Sequence, residues 1–415
     1  MTDDTQPRSI GSQAIVLAAA TGVAQVIVAV MYIVAARIAG PADYGVTIAA
    51  IAVGTALVGY ADFGTNSLWV RDLANGGLDI RALSSRARGK LLVAMVGGLV
   101  LLVGLLFTPF AHYWIAVPIL LSQLLRQTSV VPLRAAAQSG RVALVAVAER
   151  VLGLVVLVGL FAVGVAAESA LWMALTAGSL FASGLARRLT PPSLRFAIGP
   201  RLRPSSPYVG ARHYGLFTIG VSSQSLDLAL LSGVGGAPAA GLYGAVNRWT
   251  QPMGLLANAF STAAVPFVAK SPDTRAALRA VSRGAWLLGL AVAACVTVFF
   301  SAPWIVPILV GNQYVGAVTV LQILALGTIP GILNQPLATF LQAIGRDRVV
   351  SFVVVGSVVL QLGLILLLAG PFGALGAAGS MLIVQTALLF LLGLVVVWVS
   401  KHPSESKVVG PKETA

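Results

Sequence analysis

The sequence has few charged residues and especially few acids. Only 10% of its 415 residues are charged, whereas 58% are hydrophobic. A water-soluble domain carries about 25% charged residues, because its surface must be wetted. This chain has too little charge to cover itself, so most of its surface is expected to face lipid. Its apolar residues come in long blocks, which also excludes a disordered chain.

Thiols and imidazoles are similarly scarce, which limits the chemistry that the chain can carry. Cys295 is the only cysteine, and the three histidines are far apart in sequence: His112, His213 and His402. Disulfides within the chain and cysteine-based metal sites are therefore excluded, and neither a metal nor a cofactor is expected. Gly-rich phosphate loops and Ser-His-Asp sets are also missing, which disfavours an ATP-driven pump unless a partner supplies the motor. The chain is not expected to be an enzyme.

The excess of positive charge has a simpler explanation than nucleic acid. Lys and Arg number 27 against 13 Asp and Glu, a formal net charge of +14. No stretch shows the patterns of a nucleic-acid reader, and no nucleic-acid partner is expected. Because basic residues concentrate in the cytoplasmic loops of membrane proteins, a membrane accounts for the charge.

Hydrophobic runs predict an all-α integral membrane protein. A helix needs about 20 mostly apolar residues to cross the hydrocarbon core. By that measure we predict twelve spans, at residues 12–37, 44–69, 91–108, 114–138, 142–163, 169–186, 213–233, 240–268, 285–309, 317–343, 349–369 and 377–399.

The positive charges predict the orientation of these spans. Twenty-two Lys and Arg fall before the first span, after the last, or in the connections that follow even-numbered spans. By the positive-inside rule both termini are cytoplasmic, and we expect a multi-pass protein of the bacterial cytoplasmic (inner) membrane. The longest connection, the basic linker 187–212, separates a six-helix lobe at 12–186 from one at 213–399, with a tail at 400–415.

Two sequence echoes suggest that the lobes are structural repeats. Pro132, Leu133, Gln138 and a Gly-Arg turn ending at Arg141 recur as Pro336, Leu337, Gln342 and a Gly-Arg turn ending at Arg346. A weaker echo links residues 40–45 with residues 237–244. Many transporters are built from such repeats, with the binding site between them, so two pseudo-symmetric lobes around a central cavity are expected.

Charged residues inside the spans are the candidate site, because such charges are costly and face a partner or a water-filled cavity. Seven qualify: Asp62, Arg126, Arg134, Glu149, Arg150, Asp227 and Arg248. Helix rise places Asp227 level with Arg248 and Asp62 level with Arg134, so each pair is a possible structural ion pair. Arg126 has no acid at its own predicted depth, and one of Glu149 and Arg150 is expected to extend towards the interface.

The four arginines in this set, Arg126, Arg134, Arg150 and Arg248, suit a phosphate or pyrophosphate group. Guanidinium donates two parallel hydrogen bonds and stays protonated when desolvated. The carboxylates Asp62, Glu149 and Asp227 would pair with these arginines or couple transport to an ion.

The motifs resemble one family. Gly40, Pro41, Tyr44 and Gly45 lead into Asp62, Phe63, Gly64 and Arg71; the turn from Gln138 to Arg141 follows; Asp227 accompanies Gly241, Tyr243, Gly244 and Arg248; and Gly311, Tyr314 and Ala317 come last. This set resembles the bacterial polysaccharide-biosynthesis, or O-antigen (Wzx-like), flippases of the multidrug, oligosaccharidyl-lipid and polysaccharide exporter superfamily.

The resemblance implies a function and partners. It implies that the chain carries an undecaprenyl-(pyro)phosphate-linked oligosaccharide to the outer leaflet by alternating access, with cavity arginines on the diphosphate. Its expected partners are the lipid-linked oligosaccharide, membrane lipids and other polysaccharide-assembly proteins. A cation-coupled multidrug and toxin extrusion antiporter is the main alternative. A membrane glycan polymerase or glycosyltransferase is disfavoured because no sizeable outer loop is present.

Overall fold

The computed structural model describes residues 10–197, 203–250, 285–343 and 346–401, with Gly254 and Ala257. These residues are helical or in loops and contain no β-strand. The helices of the first part of the chain are α1 (Ile10–Asp62), α2 (Thr65–Ala74), α3 (Ile80–Leu106), α4 (Ala116–Ala135), α5 (Ser139–Ala162) and α6 (Ala167–Leu189). Those of the second part are α7 (Arg212–Ser223), α8 (Asp227–Gly235), α9 (Ala237–Asn247), α10 (Ala285–Leu309), α11 (Ala317–Ala343) and α12 (Asp347–Lys401).

Eight helical stretches in the described ranges are long and apolar enough to cross a membrane. Two of them, 44 residues in α1 and 51 in α12, are about twice the length of one crossing. Each is interrupted by a glycine with positive φ, Gly40 in α1 and Gly373 in α12, so each contains two of the predicted spans. The all-α, membrane-spanning fold class predicted from the sequence is confirmed.

The predicted helix boundaries agree best with the structure where apolar runs are uninterrupted. Helices α10 and α11 have the bounds predicted from the sequence. The predicted span 44–69 instead breaks at Phe63 and Gly64, both with positive φ. The predicted span 213–233 is divided into α7, a 3-10 turn at Gln224–Leu226 and α8. Most of the predicted span 240–268 lies outside the described residues.

Helix α3 departs most from its predicted bounds. It begins at Ile80 rather than at residue 91, because Asp79 caps it by accepting a hydrogen bond from the amide of Ala82. A side-chain cap of this kind fixes where a helix starts. The early start places Lys90 ten residues inside the helix, whereas the sequence placed it among the cytoplasmic loop charges.

The chain divides into two compact units, Met1–Ala229 and Leu230–Ala415. Their boundary falls within α8, downstream of the linker 187–212. In the first unit α5 packs on α6 and on α1, and α4 packs on α6; in the second, α11 packs on α10 and α12. The division into lobes at 12–186 and 213–399 stays a prediction.

The described part of the basic linker packs against the start of α3. The Ser205 amide donates to the Ser85 carbonyl (3.2 Å), and the Ser85 hydroxyl donates to the carbonyl of Arg203 (2.6 Å). Upstream, the Ala197 amide donates to the Ser84 hydroxyl (3.1 Å). These three bonds hold the linker on the first unit.

Local structure at the two sequence echoes is similar in one place and different in another. Gly40 (φ 79°, ψ 167°), which begins the first stretch of the weaker echo, and Gly236 (φ 87°, ψ 159°), one residue before the second stretch, share a backbone conformation that is essentially confined to glycine. In the other echo, Arg141 donates to the carbonyl of Leu189 at the end of α6 (2.8 Å). Arg346 instead lies over the ring of Trp398 near the end of α12.

Candidate functional site

A buried ion pair joins the C-terminal end of α1 to α3. Lys90 Nζ lies 2.9 Å from Asp62 Oδ1, and the lysine side chain is 0% exposed. The ammonium also donates to Thr65 Oγ1 (3.1 Å) and to Asn66 Oδ1 (2.8 Å), and it lies 4.1 Å from the centre of the Trp69 ring. Three oxygen acceptors and an aromatic face together compensate the loss of water around the charge.

The local backbone explains why these acceptors converge. After α1 ends at Asp62, positive φ at Phe63 and Gly64 turns the chain directly into α2. Asp62 Oδ1 then accepts from the amide of Asn66 (3.2 Å) and from the hydroxyl of Thr65 (3.1 Å). The carboxylate therefore caps the first turn of α2 while it neutralises Lys90.

The linker covers this ion pair on one side. The positive-inside rule assigns that side to the cytoplasm. The Tyr208 hydroxyl donates to the carbonyl of Ala61 (3.2 Å), and its ring packs edge-on against Phe63. Burial raises the pKa of Tyr208, and the nearby charge of Asp62 raises it further. Tyr208 is therefore a neutral hydrogen-bond donor at physiological pH.

The expected pairing of Asp62 with Arg134 is wrong, because Lys90 takes that position. Arg134 lies in the last turn of α4 with its side chain exposed. Among the described residues it has no carboxylate within ion-pair distance, and Asp62 pairs with Lys90 instead. The sequence missed Lys90 because hydropathy assigned it to a loop.

A second buried carboxylate, Glu149 in the middle of α5, is shared by two arginines. Its Oε1 lies 3.2 Å from Arg126 Nε and 3.7 Å from Arg150 Nη1, and the side chain is only 3% exposed. The Ser179 hydroxyl of α6 donates to the same oxygen (2.9 Å). The glutamate thus links α4, α5 and α6.

The expectation that Arg126 has no acid at its own depth is therefore wrong. The predicted span containing Glu149 starts at residue 142, whereas α5 starts at Ser139. The first turn of α5 was therefore not counted, and the contact between Arg126 Nε and Glu149 Oε1 shows that the two side chains lie level with one another. The same contact brings the neighbouring Arg150, which is 27% exposed, back towards the carboxylate.

Small residues permit the close packing on which this cluster depends. A Cβ on Gly178 of α6 would lie 2.6 Å from the carbonyl oxygen of Glu149, nearer than real Cβ atoms come.

A second close contact joins α1 and α7. A Cβ on Gly59 of α1 would lie 2.3 Å from Ser222 Cβ on α7. Next to that contact, Tyr60 and Ser223 share a hydrogen bond between their hydroxyls (2.8 Å).

Asp227 and Arg248 fall in different compact units. Asp227 is buried at the start of α8, where its Oδ1 accepts from the amide of Leu228 (2.6 Å). Arg248 follows α9 and is half-buried. The predicted pairing of these two residues stays a prediction.

The membrane-embedded part of the first unit carries more positive than negative charge. Lys90, Arg126, Arg134 and Arg150 stand against Asp62, Glu149 and Asp227, the third buried carboxylate of the same unit, which leaves one positive charge. Asp62 and Glu149 are covered by cations and have little surface left for another. An arrangement of this kind favours an anionic ligand. No group of metal-ligating side chains occurs among the described residues.

Comparison with known proteins identifies the fold. The MatE family model matches residues 217–367, and the comparison with curated proteins gave no match. The structure is similar to the lipid II flippase MurJ in its inward closed conformation, with a TM-score of 0.75 and 13% identity over 92% of this chain and 87% of that one.

Two transporter structures are also similar. An inward-facing multidrug resistance MATE family transporter of the MOP superfamily gives a TM-score of 0.71 and 15% identity, covering 92% of this chain and 96% of that one. The eukaryotic MATE transporter AtDTX14 gives 0.59 and 15%, covering 95% and 98%. The chain therefore has the fold of the multi-pass membrane transporters of the MOP superfamily.

Proposed function

We propose that this protein is a flippase that moves an undecaprenyl-(pyro)phosphate-linked oligosaccharide from the cytoplasmic to the outer leaflet, for assembly of a surface polysaccharide. The observation that carries the proposal is the surplus of positive charge within the membrane-embedded part of the first unit. Two arginines share the single carboxylate of Glu149, and Arg134 has none. A diphosphate is the group that such a surplus would hold, because guanidinium matches its oxygens bidentately.

The fold supports this proposal, since MurJ, a structure of the same fold, is described as a lipid II flippase. In the proposed cycle Arg126, Arg134, Arg150 and Arg248 bind the diphosphate or anionic sugars. Asp62, Glu149 and Asp227 hold these cations in place or couple transport to an ion. Alternating access then exposes the bound headgroup to one leaflet at a time, from a site in the bacterial cytoplasmic membrane.

A multidrug antiporter of the multidrug and toxin extrusion type is the second candidate. The match of the MatE family model to residues 217–367 favours it, as does the similarity to an inward-facing MATE family transporter. A site for cationic drugs would require a carboxylate that the protein leaves uncovered. Asp62 and Glu149 do not meet this requirement, because each already has a cation within 4 Å.

One experiment separates the two candidates. In a deletion strain, the lipid-linked oligosaccharide pool is extracted and divided by leaflet, according to its accessibility to an externally added glycan-cleaving enzyme. The flippase predicts a completed, inaccessible intermediate that disappears when the wild-type gene is restored. Normal polysaccharide without any such intermediate, together with increased drug sensitivity, would instead support the antiporter.

A further inference from the structure

Three arginines surround a cavity where α4 ends, α5 begins and α6 ends. The cavity has a volume of about 410 Å³, and Gln138, Arg141, Arg188, Thr190 and Arg195 are among the residues that line it. No described carboxylate forms an ion pair with any of the three arginines. This concentration of positive charge lies outside the buried clusters of Asp62 and Glu149.

Two of the arginines are held in place by neutral oxygens, three of them main-chain carbonyls and one a side-chain amide oxygen. Arg141 Nη1 donates to Gln138 Oε1 (2.9 Å) and to the carbonyl of Leu189 (2.8 Å). Arg195 donates through Nε to the carbonyl of Thr190 (2.8 Å) and through Nη2 to that of Arg188 (3.0 Å). Because neutral carbonyls orient these groups without neutralising them, each guanidinium keeps its charge and has further N–H donors.

Arg188 and the N-terminal end of α5 add further positive charge at the cavity. The guanidinium of Arg188 has no hydrogen-bond partner among the described residues. Helix α5 starts beside the cavity, and its N-cap residue, Gln138, makes no side-chain hydrogen bond to the first-turn amides. The N-terminal end of a helix carries a partial positive charge, which favours an anion at this position.

Exposed apolar side chains continue from the arginines along the membrane-facing surface. Leu144, three residues after Arg141 on α5, is 53% exposed, and Phe181, seven residues before Arg188 on α6, is 45% exposed. Residues at these spacings share a helix face. The surface therefore changes from cationic to apolar in the direction of the membrane interior, as a lipid changes from headgroup to acyl chain.

We propose that this cavity is a binding site for the phosphate group of an anionic lipid, with the acyl chains lying along Leu144 and Phe181. The charge distribution places the site at the cytoplasmic leaflet. A phosphodiester with a net negative charge fits three guanidiniums, and the apolar surface favours a lipid over free phosphate. The proposal does not depend on the transported substrate.

Native mass spectrometry of the purified full-length protein tests the site. Dioleoyl phosphatidylglycerol is titrated against the wild type, and dioleoyl phosphatidylcholine serves as the zwitterionic comparison. The wild type is expected to prefer phosphatidylglycerol. Arg188→Gln should weaken that binding about tenfold, since it removes one charge-assisted interaction, and Arg188→Gln with Arg195→Gln should weaken it further.

The matched control is Arg187→Gln, which makes the same charge change on the neighbouring residue outside the cavity lining. It should bind phosphatidylglycerol as the wild type does. Arg188 is the variant of choice because its guanidinium holds no described residue in place, and a single monodisperse peak in size-exclusion chromatography verifies folding. Equal binding of phosphatidylglycerol by the wild type and Arg188→Gln would overturn the proposal. An equal loss of binding in Arg188→Gln and in the control Arg187→Gln would overturn it as well. Displacement of the lipid by millimolar inorganic phosphate would assign the cavity to a free anion and overturn the lipid assignment.

Discussion

Arg126 Nε lies 3.2 Å from Glu149 Oε1, so that α4 and α5 are joined by an ion pair at mid-helix. Glu149→Gln removes the carboxylate charge that Arg126 and Arg150 share. Breaking a fully buried pair costs about 3–5 kcal/mol, but both arginines are partly exposed, which screens the loss. We expect a destabilisation of about 1–3 kcal/mol, measured as a lower unfolding temperature in detergent.

The serine contact provides the graded comparison for this prediction. Ser179→Ala removes one hydrogen bond to Glu149 and should cost about 1 kcal/mol. Glu168→Gln, in the first turn of α6, changes the same charge away from the cluster and is the control. An unfolding temperature for Glu149→Gln equal to that of the control would show that the ion pair contributes nothing.

Asp62→Asn should destabilise the protein more strongly than Glu149→Gln. It leaves Lys90, which is 0% exposed, without its counter-charge, and we expect a loss of about 3–5 kcal/mol. Asp62→Asn combined with Lys90→Met removes both charges and should recover most of that loss. The measurement is the unfolding temperature of Asp62→Asn, of the double variant and of Glu149→Gln.

Asp72→Asn is the control for that series, because Asp72 pairs with Arg71, whose side chain is 55% exposed. Its unfolding temperature should match that of the wild type. If the double variant is no more stable than Asp62→Asn alone, the ammonium is not the source of the loss.

Gly59→Ala should disturb the packing of α1 against α7. The new Cβ would lie 1.6 Å from Ser222 Oγ, and overpacking of this kind costs about 1–3 kcal/mol. Ser222→Gly removes the obstructing side chain, so the double variant should regain stability. Gly97→Ala, where nothing lies within 4 Å, controls for the added methyl group. Additive effects of the two changes in a double-mutant cycle would contradict the contact.

Arg134→Gln should reduce transport without reducing stability. Its side chain is exposed and has no carboxylate partner among the described residues, so its removal leaves no buried charge unpaired. We expect an accumulated lipid-linked intermediate at a wild-type protein level, and partial rescue by Arg134→Lys. Arg81→Gln, at the exposed start of α3, is the matched control. Full export by Arg134→Gln would remove Arg134 from the proposed binding set.

The sequence predicted the long helices well and the charge pairs poorly. Uninterrupted apolar runs set the bounds of α10 and α11, because span length follows directly from bilayer thickness. Hydropathy could not place Lys90, because a loop lysine and a buried lysine differ only in their partners. The contact between Glu149 and Arg126 was missed because the span was counted from residue 142, whereas α5 starts at Ser139 and polar residues concealed its first turn. A carboxylate near the end of a span, as at Asp62, was the available signal that a cation must lie nearby.

The cluster around Lys90 also has a consequence for biosynthesis. Asp62, Thr65, Asn66 and Trp69 all precede Lys90 in the chain, and translation proceeds from the N-terminus. The three oxygen acceptors and the ring that surround the ammonium have therefore left the ribosome before Lys90 does. Helix α3 can thus pair its lysine as soon as it is synthesised, whereas Tyr208 and the other linker residues that cover the pair follow later.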